Sequence, residues 1–300
     1  MDKTRLNLSA GLASVSVAII LVVLKLWALS ETQALSVAAS LADSAMDLMV
    51  SLGGLVAIAY AARPADEDHA FGHSSAEDLA ALGQSLFIMV SAGVIGWAAI
   101  ARLLSDAPST LAHQESGIVV MSISIVLTLG LVIWQRRVAR ITGSKVVAAD
   151  SLHYLGDLLP NIGAIASLFA SAAFGMGQID SVVALGAGVM LIVGAVRIFK
   201  GAWDALMDRS ADPELVAGVE DIARNYPGVH GFHDLKTRMA GSVTFVNMHI
   251  ELDGLQSLEE AHSIGAGLRR AILHAYPQTD VMIHKDPVGV TPHPDDPSRT

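Results

Sequence analysis

Two pairs of ionisable residues stand four positions apart inside otherwise apolar stretches. Asp43 and Asp47 lie in the run from 33 to 62, and His153 and Asp157 in the run from 146 to 173. A charged group at membrane depth costs at least about 2.5 to 3.5 kcal/mol, so such groups are functional candidates by default. Spacing of i,i+4 puts each pair on one helical face. Two such faces packed together offer four nitrogen and oxygen ligands around one point, the number and geometry that zinc prefers. Two adjacent carboxylates repel unless a cation or protons lie between them. The plainer alternative is a membrane Asp that hydrogen-bonds a neighbouring helix or serves a proton relay. That reading does not account for two separate pairs on two helices. Asp150, three residues before His153, is expected near the cytoplasmic end, either solvated or supporting the ligands from behind.

The elements that must hold these pairs are membrane helices. Hydrophobic residues are 52% of the 300, charged residues only 16%, and mean hydropathy is +0.51. Soluble domains carry about 25% charge. The formal net charge of −10 argues against a nucleic-acid partner. Cysteine is absent, so metal chemistry must use His, Asp and Glu. A span needs about 20 mostly apolar residues. The run Leu6 to Leu24 is uncharged, too long for a signal peptide core and followed by no small-residue cleavage site. Further spans are expected over 33–62, 79–101, 116–135, 146–173 and 181–196. Lys and Arg concentrate before the first span and after the second, fourth and sixth. That bias puts both termini in the cytoplasm. Lys25 and Arg102 sit near the opposite helix ends and are expected to snorkel outward.

The character changes near Ser210. From there on the chain holds 13 Asp and Glu against 7 Lys and Arg, with 7 of its 11 histidines. Asp212 and Pro213 start a helix that Pro227-Gly228 stops. Two strands follow, near 229–239 and 242–253. Ser257 and Glu260 have capping-box spacing at the head of a second helix, and a last strand covers 280–284. This order suggests a small α+β sandwich of the ferredoxin-like kind. The expected organisation is therefore a six-helix membrane domain over 1–209, a cytoplasmic metal-binding domain over 210–290, and a disordered tail over 291–300.

Metal entry into a protonated ligand set expels protons, and an imidazole exchanges a proton with a cation near neutral pH. The expected activity is exchange of a divalent cation for protons by alternating access around the midplane site. The competing class is a membrane-tethered sensor that binds metal without moving it. An intramembrane metalloprotease is disfavoured: no HExxH occurs, and four protein ligands leave zinc no open position for water. No enzymatic activity is expected.

Four motifs carry a family resemblance: DSAMD at Asp43–Asp47, HAFGH at His69–His73, ADSLHYLGD at Ala149–Asp157, and IHKDP at Ile283–Pro287. With six spans and the tail domain, the chain resembles the cation diffusion facilitators, most closely their bacterial zinc and iron efflux members. The resemblance implies a homodimer in the bacterial inner membrane that exports Zn2+, with Cd2+ and Fe2+ as further candidates, against protons. It puts the transport site on Asp43, Asp47, His153 and Asp157. It implies a peripheral site on Asp66, His69 and His73, for which Asp68 is a rival to Asp66. It implies a tail site, structural or regulatory, on His233, His249, His262, His284 and Asp286. Read alone, these groups have a blander explanation as histidines on a solvated acidic surface. Relatives often carry a Lys after the HxxxH motif that pairs with an acid after the sixth helix. Here that stretch reads Ser74-Ser75 while Asp208 remains, so this interlock between protomers is absent or replaced. Retention of His153 favours zinc and cadmium over manganese, since imidazole suits zinc and carboxylates suit manganese.

Overall fold

A computed structural model describes residues 3–32, 35–103, 115–158 and 179–289. It divides into two compact units, Met1–Trp203 and Asp204–Thr300. The expected tail 291–300 lies outside the described residues, as does the second half of the expected fifth span.

The first unit is helical: α1 (Lys3–Thr32), α2 (Leu35–Ala61), α3 (Ser75–Leu103), α4 (Glu115–Thr142), α5 (described over 145–158) and α6 (Ile179–Leu206). Most outrun their apolar cores. α4 continues through Arg136, Arg137 and Arg140, and α6 through Arg197 and Lys200, because Arg and Lys are good helix formers wherever the solvent can reach them. Among the described residues, Lys3–Trp27 and Ser44–Ala61 meet the length and hydropathy of a membrane crossing on their own. Large apolar side chains point outward from several helices, among them Val23, Val56, Val90, Trp97 and Val126. That surface suits lipid, not water.

The helices pack through small residues and a few polar seams. Leu6 and Ala10 of α1, Ile58 of α2, Ala81 of α3, Val138 of α4 and Val146 of α5 share one buried cluster. The α4–α5 link sets the register of the candidate ligands. Gly143 adopts φ +78 and donates its N–H to Ala139 O at 2.9 Å, which closes α4. Ser144 then caps α5, its Oγ accepting from Val147 N at 3.4 Å. Where these connections lie, Lys145 Nζ meets Asp78 Oδ1 at 2.6 Å, with the Asp78 side chain 1% exposed. Asn7 Nδ2 donates to Glu77 Oε1 at 3.3 Å. Side chains of α1, α3 and α5 are thus pinned at one end of the unit.

The second unit contains α7 (Pro213–Arg224), β1 (Gly231–Ala240), β2 (Val243–Leu252), α8 (Leu258–Ala275) and β3 (Thr279–Pro287). The expected order of elements holds. Asp212 caps α7, its Oδ1 accepting from Glu214 N at 2.9 Å. The Ser257–Glu260 capping box is formed. The hydrogen bond from Ser257 N holds the Glu260 carboxyl below its ordinary pKa. β1 and β2 are antiparallel, and β2 runs parallel to β3 through the α8 crossover, in the order β1-β2-β3. Val246, Met248, Ile250 and Leu252 alternate onto one face of β2 and pack with Val219 of α7 and with Leu268 and Ile272 of α8. The other face is left for polar groups. Asp208 pairs with Arg238 at 3.2 Å within this unit.

Gly228 ends the α7 turn at φ +86, and a Cβ there would meet Ile264 Cδ1 at 2.7 Å. Gly228→Ala is therefore expected to destabilise this unit by about 1 to 3 kcal/mol, through strain and overpacking together. Thermal unfolding of the full-length protein in detergent measures it; an unchanged midpoint refutes it.

Candidate metal centres

The α2 and α5 pairs face each other. His153 Nε2 lies 3.1 Å from Asp47 Oδ1 and 4.0 Å from Asp157 Oδ2. One ring nitrogen thus stands between carboxylates from two helices, and the ligand atoms of Asp47, His153 and Asp157 all fall within 4.8 Å of one another. Phe87 of α3 packs edge-on against the imidazole, with centroids 5.7 Å apart. These groups line a cavity of about 520 Å³ together with Leu21, Ser44 and Thr128. Asp43 is on α2, one turn from Asp47, but its side chain lies outside the described residues.

Asp150 is not solvated. It is 5% exposed, accepts from Gln135 Nε2 of α4 at 2.6 Å, and lies 3.4 Å from Ser51 Oγ of α2. Ser51 also bonds Ser14 of α1 at 2.8 Å and the Tyr154 hydroxyl at 2.9 Å. Of the two readings open for Asp150, solvated or supporting the ligands from behind, its burial favours the second, because Gly143-Ser144 starts α5 immediately after α4 and places this residue well inside the bundle. The resulting network joins four helices behind the ligand pair. Lys25 also departs from expectation: its ammonium turns inward to Ser44 Oγ at 2.6 Å instead of snorkelling.

The α2–α3 connection folds around Asp66. Its Oδ1 accepts from Asp68 N at 3.1 Å and His69 N at 2.7 Å. The backbone bond from His69 leads the causes that keep the Asp66 carboxyl below the usual range. His69 Nδ1 lies 3.2 Å from Oδ1, and His73 Nε2 lies 3.3 Å from Oδ2. The His73 ring is anchored by Pro64 O at 3.2 Å and by an edge contact with Tyr60. Of the rival acids, Asp66 joins the two histidines and Asp68 contributes its amide to the turn.

The tail histidines are aligned by strand register. His233 pairs with His249 across β1 and β2, and His249 pairs with His284 across β2 and β3. All three stand on one rung, on the face away from the apolar core. Asp286, two residues after His284, returns to the same face. Its Oδ2 is 2.9 Å from His249 Nδ1 and 3.4 Å from His233 Nε2, and its Oδ1 is 3.2 Å from His284 Nε2. His262 is exposed on α8, which covers the opposite, apolar face, and it lies outside this cluster. Two acids not singled out from the sequence lie close by. Glu251 Oε1 is 3.4 Å from His233 Nδ1. It is two residues from His249 and so shares its face, a signal that period-2 reading could have found. Asp234 Oδ2 is 4.0 Å from His249 Nε2. It reaches there only because φ is +49 and the ladder slips between His233 and Lys236, which no periodicity reveals.

The family description for the cation efflux transmembrane domain matches residues 11–207, and that for the cation efflux protein cytoplasmic domain matches residues 211–288. The chain belongs to the cation efflux family. The cation-efflux pump FieF of Serratia proteamaculans is 40% identical over 288 residues, 96% of this chain and 95% of the relative. FieF of Cronobacter sakazakii is 40% identical over 291 residues, 97% and 96% of the two chains. Among solved structures, the metal-bound C-terminal domain of the CzcD transporter from Thermotoga maritima is 29% identical. It spans 26% of this chain and 93% of its own, with a TM-score of 0.26. The six helices are thus a cation efflux transmembrane domain and the α+β unit a cytoplasmic domain of that family. The family's work is cation transport in a membrane.

Proposed function

We propose that this cation efflux protein exports Zn2+ from the cytoplasm in exchange for protons, by alternating access around Asp43, Asp47, His153 and Asp157. Cd2+ and Fe2+ are the further candidate cargoes. The observation that carries this reading is the His153 nitrogen held between Asp47 and Asp157 across two helices, in a cavity inside the membrane unit. Carboxylates that lose a cation in an apolar setting must gain protons or a counter-charge, so release and protonation are coupled by electrostatics alone. One imidazole among carboxylates suits zinc and cadmium over harder ions. The names of the FieF relatives support efflux as the direction.

Asp66, His69 and His73 form a peripheral site that captures metal between α2 and α3. In the tail, His233, His249, His284 and Asp286 form a regulatory metal centre. His262 contributes there only across a contact between two copies, which favours a homodimer joined through the tails. The basic residues between the second and third and the fourth and fifth spans support cytoplasmic termini, and the FieF relatives, all bacterial, support the inner membrane. Domain limits of 1–209 and 210–290 follow the same reading. A sensor that binds without transporting is the second function, since the tail cluster is built wholly from residues of the second unit.

Purified protein in liposomes separates the two. With Zn2+ outside and an acidic lumen, metal is expected to accumulate inside, and collapsing the pH gradient is expected to abolish that accumulation. Metal binding without accumulation would establish the sensor instead.

A further inference from the structure

Lys25 is the only charged residue of α1 between Arg5 and Glu31. A basic residue near a helix end normally extends to the interface. Here its ammonium donates to Ser44 Oγ at 2.6 Å. Ser44 is 1% exposed, adjoins Asp43 in the chain and precedes Asp47 by three residues, one turn away on α2. Lys25 and Ser44 line the same cavity of about 520 Å³ as Asp47, His153 and Asp157. The half-buried Lys25 ammonium is favoured by nearby opposing charge, and Asp47 and Asp157 line the same cavity.

We propose that Lys25 is a tethered cation of the transport cavity, one that competes with the metal and sets how tightly it is held. On the transport-site reading, which adds Asp43 to Asp47 and Asp157, three carboxylates and one ammonium leave two negative charges unbalanced, which one divalent cation neutralises. When the metal leaves, the ammonium still balances one of these charges. Without it the loaded cavity stays anionic, the metal is bound more strongly, and release slows. Lys25 is thus an affinity- and rate-setting residue that coordinates nothing itself.

The inference rests on the transport-site reading, and proteoliposome flux keeps the two apart. If the wild type shows no proton-driven Zn2+ flux, the transport reading fails. If the wild type transports, Lys25 is tested by KM and maximal rate in Lys25→Met, Lys25→Gln and Lys25→Arg. Both neutral variants are expected to lower KM about tenfold and to lower the maximal rate with it, the signature of lost ground-state destabilisation. Lys25→Arg keeps the charge and should stay near wild type in both constants. A KM that is unchanged or raised in the neutral variants overturns the proposal. So does an equal shift in Lys25→Arg, which would mark a packing role.

Discussion

Asp47→Ala and Asp157→Ala are each expected to lower the proposed proton-driven Zn2+ flux in liposomes by at least about a hundredfold. Loss of a group that merely orients a ligand already costs 10- to 100-fold in metal affinity, and these residues are proposed to touch the ion. The geometry makes the two losses equivalent in kind. Asp47 is the α2 carboxylate at 3.1 Å from His153 Nε2, and Asp157 is the α5 carboxylate at 4.0 Å from the same atom. Removing either leaves a cavity with one helix less to hold the ion and too few donors to replace its water. His69→Ala, in the α2–α3 connection, should by contrast leave the maximal rate largely intact and raise the metal concentration needed to reach it. Flux that survives in both aspartate variants would place transport elsewhere in the molecule.

The second large effect concerns stability. Lys145→Met leaves the Asp78 carboxylate buried beside α5 without its ammonium partner. Breaking a buried pair from one side costs about 3 to 5 kcal/mol. Because the Lys145 side chain is 23% exposed, water screens part of this, and a loss of about 2 to 4 kcal/mol is expected. The double variant Asp78→Asn with Lys145→Met removes both charges and should recover most of it. Thermal unfolding in detergent, followed by the fraction that stays monodisperse, reads both. A single variant as stable as wild type would show that the pair is worth no more than a surface contact. The pair matters beyond stability. It ties α3 to the first turn of α5, eight residues before His153, so it helps fix the depth at which that imidazole sits.

Much of the candidate transport site was legible in the chain because helical periodicity is a property of one element. Asp43 with Asp47, and His153 with Asp157, share faces whatever surrounds them, and acids inside apolar runs demand a reason. The caps of α7 and α8 were legible for the same cause: Asp212 and Ser257 act on amides two or three residues away. The alternation of Val246, Met248, Ile250 and Leu252 also announced which face of β2 would be buried, and hence that His249 would be on the other.

What the chain alone determined, then, was which side chains share a face of one helix or strand. Tertiary structure decided which faces meet. Strand register put His233, His249 and His284 on one rung, and a slipped ladder brought Asp234 toward them. An Asx turn put the Asp66 carboxylate, and not that of Asp68, beside His69 and His73. The two-residue link after α4 buried Asp150, and α1 packing on α2 turned Lys25 inward. Apart from the Asp66 turn, each of these outcomes depends on contacts between residues from 15 to 99 positions apart, or on a single backbone angle. Local periodicity carries no information about either.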